Sequence, residues 1–198
     1  MNSKRDYFTA NWKNELLETE HIKMLNELDI LKSVVRKLDV NNIPYMLTGS
    51  IAMSYYSIPR TTRDIDIVVE IENADEFYNL FKDEYYIDFN SMKNSIKSHG
   101  MFNIIHSSEI IKIDFIIRKE SEYRKTEFSR RKKFKFGDGF IYIVSIEDLI
   151  ISKLIWSRGS RSAVQMEDIS NLMQEKTDKD YLKKWSEKLG IDKLLEEI

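Results

Sequence analysis

Apolar residues recur at helical spacing across residues 19–40, at Ile22, Leu25, Leu28, Leu31, Val35 and Leu38. That period predicts an amphipathic helix. The pattern then shortens. IPYMLTGS reads as an apolar strand ending at Gly49-Ser50, SIAMSYYS as a short helix, and RDIDIVVEI as a strand. NADEFYNLFKDE predicts a helix capped by Asn73, with Asp75 and Glu76 in its first turn. YYIDF, MFNIIHS, IIKIDFIIR and GFIYIVS read as strands, and SEYRKTEFSRRKKF is compatible with a helix before the last of them. From Ser145 onward only helical patterns remain, over 146–157, 163–175 and 179–197. Strands alternating with helices, followed by a helical tail, predict an α/β (α+β) chain. Its mixed sheet carries helical cover over residues 1–144, and a C-terminal helical region, 145–198, packs on it.

Composition narrows the chemistry. The 198 residues include no cysteine, which excludes disulfides and thiolate metal sites. Net charge is −2, so no global field draws the chain to nucleic acid or membrane, and any anion site must be local. The N-terminus has no apolar signal core, and no apolar run approaches the roughly 20 residues needed to span a bilayer. These features lead to the expectation of a soluble, cytoplasmic protein with no membrane partner.

Three polar features interrupt the apolar strands. Asp64 and Asp66 stand two apart, hence on one face of a strand. Two neighbouring carboxylates there fit either an edge strand with a solvated face or a pair of oxygen ligands for Mg²⁺, whose charge offsets their repulsion. Asp114 sits in IIKIDFIIR, with Ile111, Ile113, Phe115 and Ile117 on one face and Lys112, Asp114 and Ile116 on the other. It fits either an ion pair with Lys112 or a third carboxylate that completes a two-metal site for phosphoryl transfer. Gly49-Ser50 lies where a strand meets a helix. This is either an ordinary turn or a phosphate site built from helix N-terminal amides and a hydroxyl.

The order of GS, then D-x-D, then a later strand Asp resembles the DNA polymerase β-like nucleotidyltransferase superfamily. LTGSIAMSYYSIPRTTRDIDIVVE is similar to AbiEii-type toxins and related bacterial nucleotidyltransferases, which carry R-x-T-x-D-[IL]-D, here Arg60, Thr62, Asp64 and Asp66. SIEDLIISKLIWSR and QMEDISNLM resemble their downstream segments. The resemblance implies a nucleotidyltransferase fold over 1–144. It further implies an enzyme that moves a nucleoside monophosphate from an NTP to an acceptor hydroxyl on RNA, tRNA, a protein or a small molecule. Mg²⁺ or Mn²⁺ would be the cofactor. Asp64, Asp66 and Asp114 would be the metal-binding, catalytic residues, and Gly49 and Ser50 would hold the triphosphate. A toxin role in a toxin–antitoxin or phage-defence system, with an antitoxin partner, follows from the same likeness. The alternative is a non-catalytic nucleotide- or RNA-binding module of that fold.

Further positions carry two readings each. Arg60 and Arg63 suit phosphate through the guanidinium fork, or pair with the acids. Lys153 falls within the apolar stripe of the helix after Ser145, among Ile146, Leu149, Ile150 and Trp156. It either snorkels or meets a triphosphate. Asp168, between Val164 and Leu172, pairs with Lys153 or an Arg, or contacts substrate. Ser145 and Asp148 form a capping-box pattern and read as structural. Arg158 and Arg161 are assigned to a connecting loop, solvated or near phosphate. RRKKFKF (130–136) is the one concentrated basic run, either a charged edge strand or an RNA contact. The aromatics Tyr55, Tyr56, Phe77, Phe81 and Trp156 are assigned to packing.

Overall fold

The computed structural model describes residues 27–57, 64–109, 111–160 and 163–198. The chain divides into two compact units, 1–41 and 42–198. The division suggested at 144–145 falls inside the second. Of the first unit, helix α1 (27–40) is described, with Ile30, Leu31, Val34, Val35 and Leu38 forming its buried face. The predicted residues 19–26 lie outside the described set.

The second unit is built on a seven-stranded mixed sheet. In chain order its elements are β1 (Tyr45–Leu47), α2 (Gly49–Tyr56), β2 (Asp64–Val69), α3 (Ala74–Phe81), β3 (Tyr85–Ile87), α4 (Phe89–Ser98), β4 (Met101–His106) and β5 (Lys112–Ile117). There follow α5 (Glu122–Ser129), β6 (Lys132–Phe136), β7 (Gly139–Ile143), α6 (Ile146–Ser160), α7 (Ala163–Met173), α8 (Lys179–Leu189) and α9 (Asp192–Glu196). The strand order is β3-β4-β5-β2-β1-β7-β6. The pairs β2–β5 and β1–β7 are parallel, and the other neighbours are antiparallel. Among the described residues no helix is long and apolar enough to cross a membrane.

Alternation along β2 and β5 gives the sheet two different faces. Ile65, Ile67 and Val69, with Ile113, Phe115 and Ile117, are buried. Phe115 packs edge-on to Phe77 of α3 and stacks on Phe102 of β4, and Phe81 closes the cluster. Each of these rings contributes about 1.5–3 kcal/mol by leaving water. The opposite face carries Asp64, Asp66 and Val68 beside Lys112, Asp114 and Ile116.

Several local expectations change. Read alone, the DIDIVV stretch fits an edge strand, but β2 lies inside the sheet between β5 and β1. Helix α4, with Phe89, Met92 and Ile96 at helical spacing, is an element absent from the sequence assignment. It forms between an Asp88 cap, which accepts from the Ser91 amide, and His99 in the left-handed conformation (φ 50°). The basic run splits, with Lys132–Phe136 forming edge strand β6. The C-terminal pattern breaks at Gly190 (φ 63°), which ends α8 before α9. Arg158 belongs to α6 rather than a loop, and donates to the carbonyls of Leu189 and Gly190. Arg161 lies outside the described residues.

The start of α6 is held by a buried polar network. Ser145 Oγ accepts from the Asp148 amide (3.2 Å) and donates to Asp148 Oδ2 (2.7 Å). Arg130 donates to Asp148 and Glu147, both at 3.1 Å, and lies over the Tyr181 ring. Tyr181 donates to Asp148 Oδ1 at 2.7 Å. Asp148 is fully buried, and this network fixes where α6 points. Asp148→Ala removes the Tyr181 acceptor and one of the two carboxylates that hold Arg130. It should lower unfolding free energy by about 3 kcal/mol in urea titrations, and an unchanged midpoint would contradict this role.

Candidate active site

Register creates the site. Asp66 pairs with Asp114 and Asp64 with Lys112 across parallel β2 and β5, so three carboxylates and one ammonium share one sheet face. Lys112 Nζ reaches Asp114 Oδ2 at 2.9 Å and Asp64 Oδ1 at 3.3 Å. The other Asp114 oxygen, Oδ1, is buried without a hydrogen-bond partner. Asp66 has its carboxyl pushed up from the ordinary value, first by burial and then by Asp114 and Asp64. A half-buried acid beside two others, with an unpaired oxygen next to it, suits a hard cation that takes oxygen ligands. The donor set therefore fits a divalent ion. As they stand, no three His, Asp or Glu side chains among the described residues converge as a ready-made metal site.

Gly49 brings the N-terminus of α2 to these acids. Its φ is +62°, and a Cβ there would lie 2.0 Å from Asp66 Oδ2. Only glycine lets the β1–α2 turn lie against the Asp66 carboxylate. The Thr48 amide donates to the Asp66 carbonyl, which ties the turn to β2. Thr48, at the N-cap position of α2, makes no capping hydrogen bond with its side chain, whereas Asn73, Asp88, Ser121 and Asp178 cap their helices. The first turn of α2 therefore offers amides to an anion.

A cleft of about 250 Å³ opens here, lined by Gly49, Ser50, Asp66, Lys153, Trp156 and Asp168 among others. Lys153 and Asp168 meet at 2.8 Å, so the structural pair anticipated in the sequence forms, and it forms in the cleft wall. Lys153 also lies within the electrostatic reach of Asp66. A second cleft of about 350 Å³ adjoins the first, sharing Thr48, Ile116, Ser152 and Trp156 with it. Ser152 accepts from Arg124 (2.8 Å) and donates to Glu127 (2.6 Å), locking the wall between the clefts.

Arg60 and Arg63 lie outside the described residues. Arg130 and Arg131 of the basic run are engaged locally, Arg130 with Asp148 and Arg131 over Phe128. Thr48, Ser152, Gln165 and the Trp156 indole were not singled out as cleft residues. Trp156, which the sequence assigns to packing, is 63% exposed at the junction of the clefts. Only the spatial neighbourhood of Gly49 distinguishes it from a core residue.

A family model described as aminoglycoside-2''-adenylyltransferase matches residues 30–137, more than half of the chain. No curated protein sequence matches. Among solved structures, the chain is similar to the antibiotic-resistance factor ANT(2'')-Ia at 13% identity, covering 76% of this chain and 84% of that one, with a TM-score of 0.51. It is similar to the lincosamide antibiotic adenylyltransferase LnuA, solved with lincomycin, at 15% identity, 76% and 94% coverage and a TM-score of 0.51. A nucleotidyltransferase-like protein from Paracoccidioides brasiliensis gives 17% identity, 75% and 76% coverage and a TM-score of 0.52. These likenesses establish the nucleotidyltransferase fold.

Two outcomes follow from the geometry. Gly49→Ala forces a left-handed alanine against Asp66. It should cost about 1–2 kcal/mol of stability and displace the carboxylate, as read by denaturation and by loss of nucleotide binding. Because the folded Asp66 carboxyl is raised, the folded state holds its proton more tightly than the unfolded chain does. The Asp66 contribution therefore weakens stability as pH rises from the unfolded value through the folded one. In chelator, Asp66→Asn should melt higher than wild type at neutral pH, and the gap should close on acidification. A variant that melts lower at neutral pH would contradict this.

Proposed function

We propose that this chain, a nucleotidyltransferase that belongs to the aminoglycoside-2''-adenylyltransferase family, moves an adenylyl group from ATP to a hydroxyl of a small molecule. The observation that carries this reading is the Asp66–Asp114 pairing with Gly49 pressed against Asp66. It puts an acidic pair and the N-terminus of α2 within one side chain of each other, which supports this reading.

In this reading Asp64, Asp66 and Asp114 hold Mg²⁺ or Mn²⁺, which when bound neutralises phosphate charge and acidifies the acceptor hydroxyl. The α2 amides at Gly49 and Ser50, with the Ser50 hydroxyl, take the outer phosphates. Lys153, oriented by Asp168, adds a cation to the cleft wall, and the exposed Trp156 indole stacks on the base. Arg60 and Arg63 join the phosphate contacts. The acceptor oxygen bonds to the α-phosphorus, the bond to the bridging oxygen of the β-phosphate breaks, and pyrophosphate leaves. Asp114 accepts the proton of the acceptor hydroxyl. Positioning and charge neutralisation supply most of the acceleration.

The small-molecule acceptor is supported by the family description, by the description of ANT(2'')-Ia as an antibiotic-resistance factor and by that of LnuA as a lincosamide antibiotic adenylyltransferase. The decisive experiment incubates the chain with each α-labelled NTP, Mg²⁺ or Mn²⁺, and a panel of aminoglycosides, lincosamides and cellular RNA. Label should pass from ATP to a small molecule, only with metal, and fall by about a thousandfold in Asp64→Asn/Asp66→Asn. Label on tRNA would instead favour the AbiEii-type toxin reading, and nucleotide binding without transfer would favour a binding module. Lys153→Met should raise the KM for ATP about tenfold with a smaller change in kcat. An unchanged KM would remove Lys153 from the phosphate site.

A further inference from the structure

We propose that Lys112 is a built-in counter-cation whose ammonium competes with the divalent ion for Asp64 and Asp114 and thereby sets the metal affinity of the site. The inference rests on the reading of these carboxylates as metal ligands. Lys112 faces Asp64 in register and stands two residues before Asp114 on the same strand face. A single Nζ therefore bridges acids from both strands, at 3.3 and 2.9 Å.

Bridging by an ammonium differs from bridging by a metal. The ammonium engages one oxygen of each acid and leaves Asp114 Oδ1 unpaired. It is a compact point charge on a flexible stem. A divalent ion coordinated by Asp64 and Asp114 and an ammonium in contact with the same oxygens repel strongly at this range, so the two occupy the cluster in turn. Lys112 can withdraw, because its side chain is 38% exposed while that of Asp114 is only 9% exposed. Among the described residues, Lys153, the other cation near Asp66, has a partner in Asp168 and does not bridge the two strands. Lys112 is thus a positioning residue. It holds Asp64 and Asp114 together when no ion is bound and moves toward solvent or a substrate phosphate when one is.

The test is direct Mn²⁺ binding to the whole chain without nucleotide, read from the electron paramagnetic resonance of free Mn²⁺. Wild type is compared with Lys112→Met, Lys112→Gln and Lys112→Arg. Removing the competing charge should tighten Mn²⁺ binding about tenfold in the Met and Gln variants, the scale of one partly exposed charge. Arg should stay near wild type. The chelated Met variant should melt below chelated wild type, and saturating Mn²⁺ should narrow that gap. Equal or weaker Mn²⁺ binding by both Met and Gln variants, with their circular dichroism intact, overturns the competition and leaves the metal reading standing. Absence of Mn²⁺ binding in wild type and all variants overturns the metal reading, and the competition with it.

Discussion

Everything at this site depends on holding Asp66 beside Asp114 on adjacent parallel strands. That contact is unfavourable by itself. Burial and like charge both oppose ionisation of Asp66. A fold keeps such an arrangement only if the rest of the structure overdetermines it, and here the strands cannot slip. A shift of one residue would turn Ile65, Ile67, Ile113 and Phe115 out of the core and the acids into it. The aromatic cluster of Phe77, Phe81, Phe102 and Phe115 under the sheet is thus also what fixes the carboxylates above it.

The same constraint explains the surrounding polar groups. Gly49 is required because the Asp66 carboxylate occupies the space a Cβ would take. Lys112 partly neutralises the cluster from the β5 side. The Arg130–Asp148–Tyr181 network orients α6, and α6 carries Ser152, Lys153 and Trp156 into the cleft walls. Sites that need charges held against their preference are often less stable than the fold allows. Asp66 is where that tension sits in this chain.

Much of this was legible in the sequence because it follows from short-range periodicity. Alternation in DIDIVV and KIDFII gives the two faces, and the order GS, D-x-D, D gives the candidate chemistry. The capping pair Ser145–Asp148 and the Lys153–Asp168 pairing were also readable, since misplaced charges on apolar helix stripes must find partners. What could not be read depends on long-range placement. Nothing local says that β2 is central rather than an edge. The exposure of Trp156 and the capture of Arg158 by the end of α8 depend on how helices pack after α6. The Lys112 bridge lies between these cases. Its face was readable, but the presence of Asp64 directly across from it is a matter of register.

The most direct measurement is the anomalous diffraction of crystals holding Mn²⁺ and a non-hydrolysable ATP analogue. A Mn²⁺ peak is expected on the Asp64 and Asp66 carboxylates, with the outer phosphates against the amides of Gly49 and Ser50. Nucleotide and Mn²⁺ bound elsewhere, with Asp66 and Asp114 facing no ion, would contradict it.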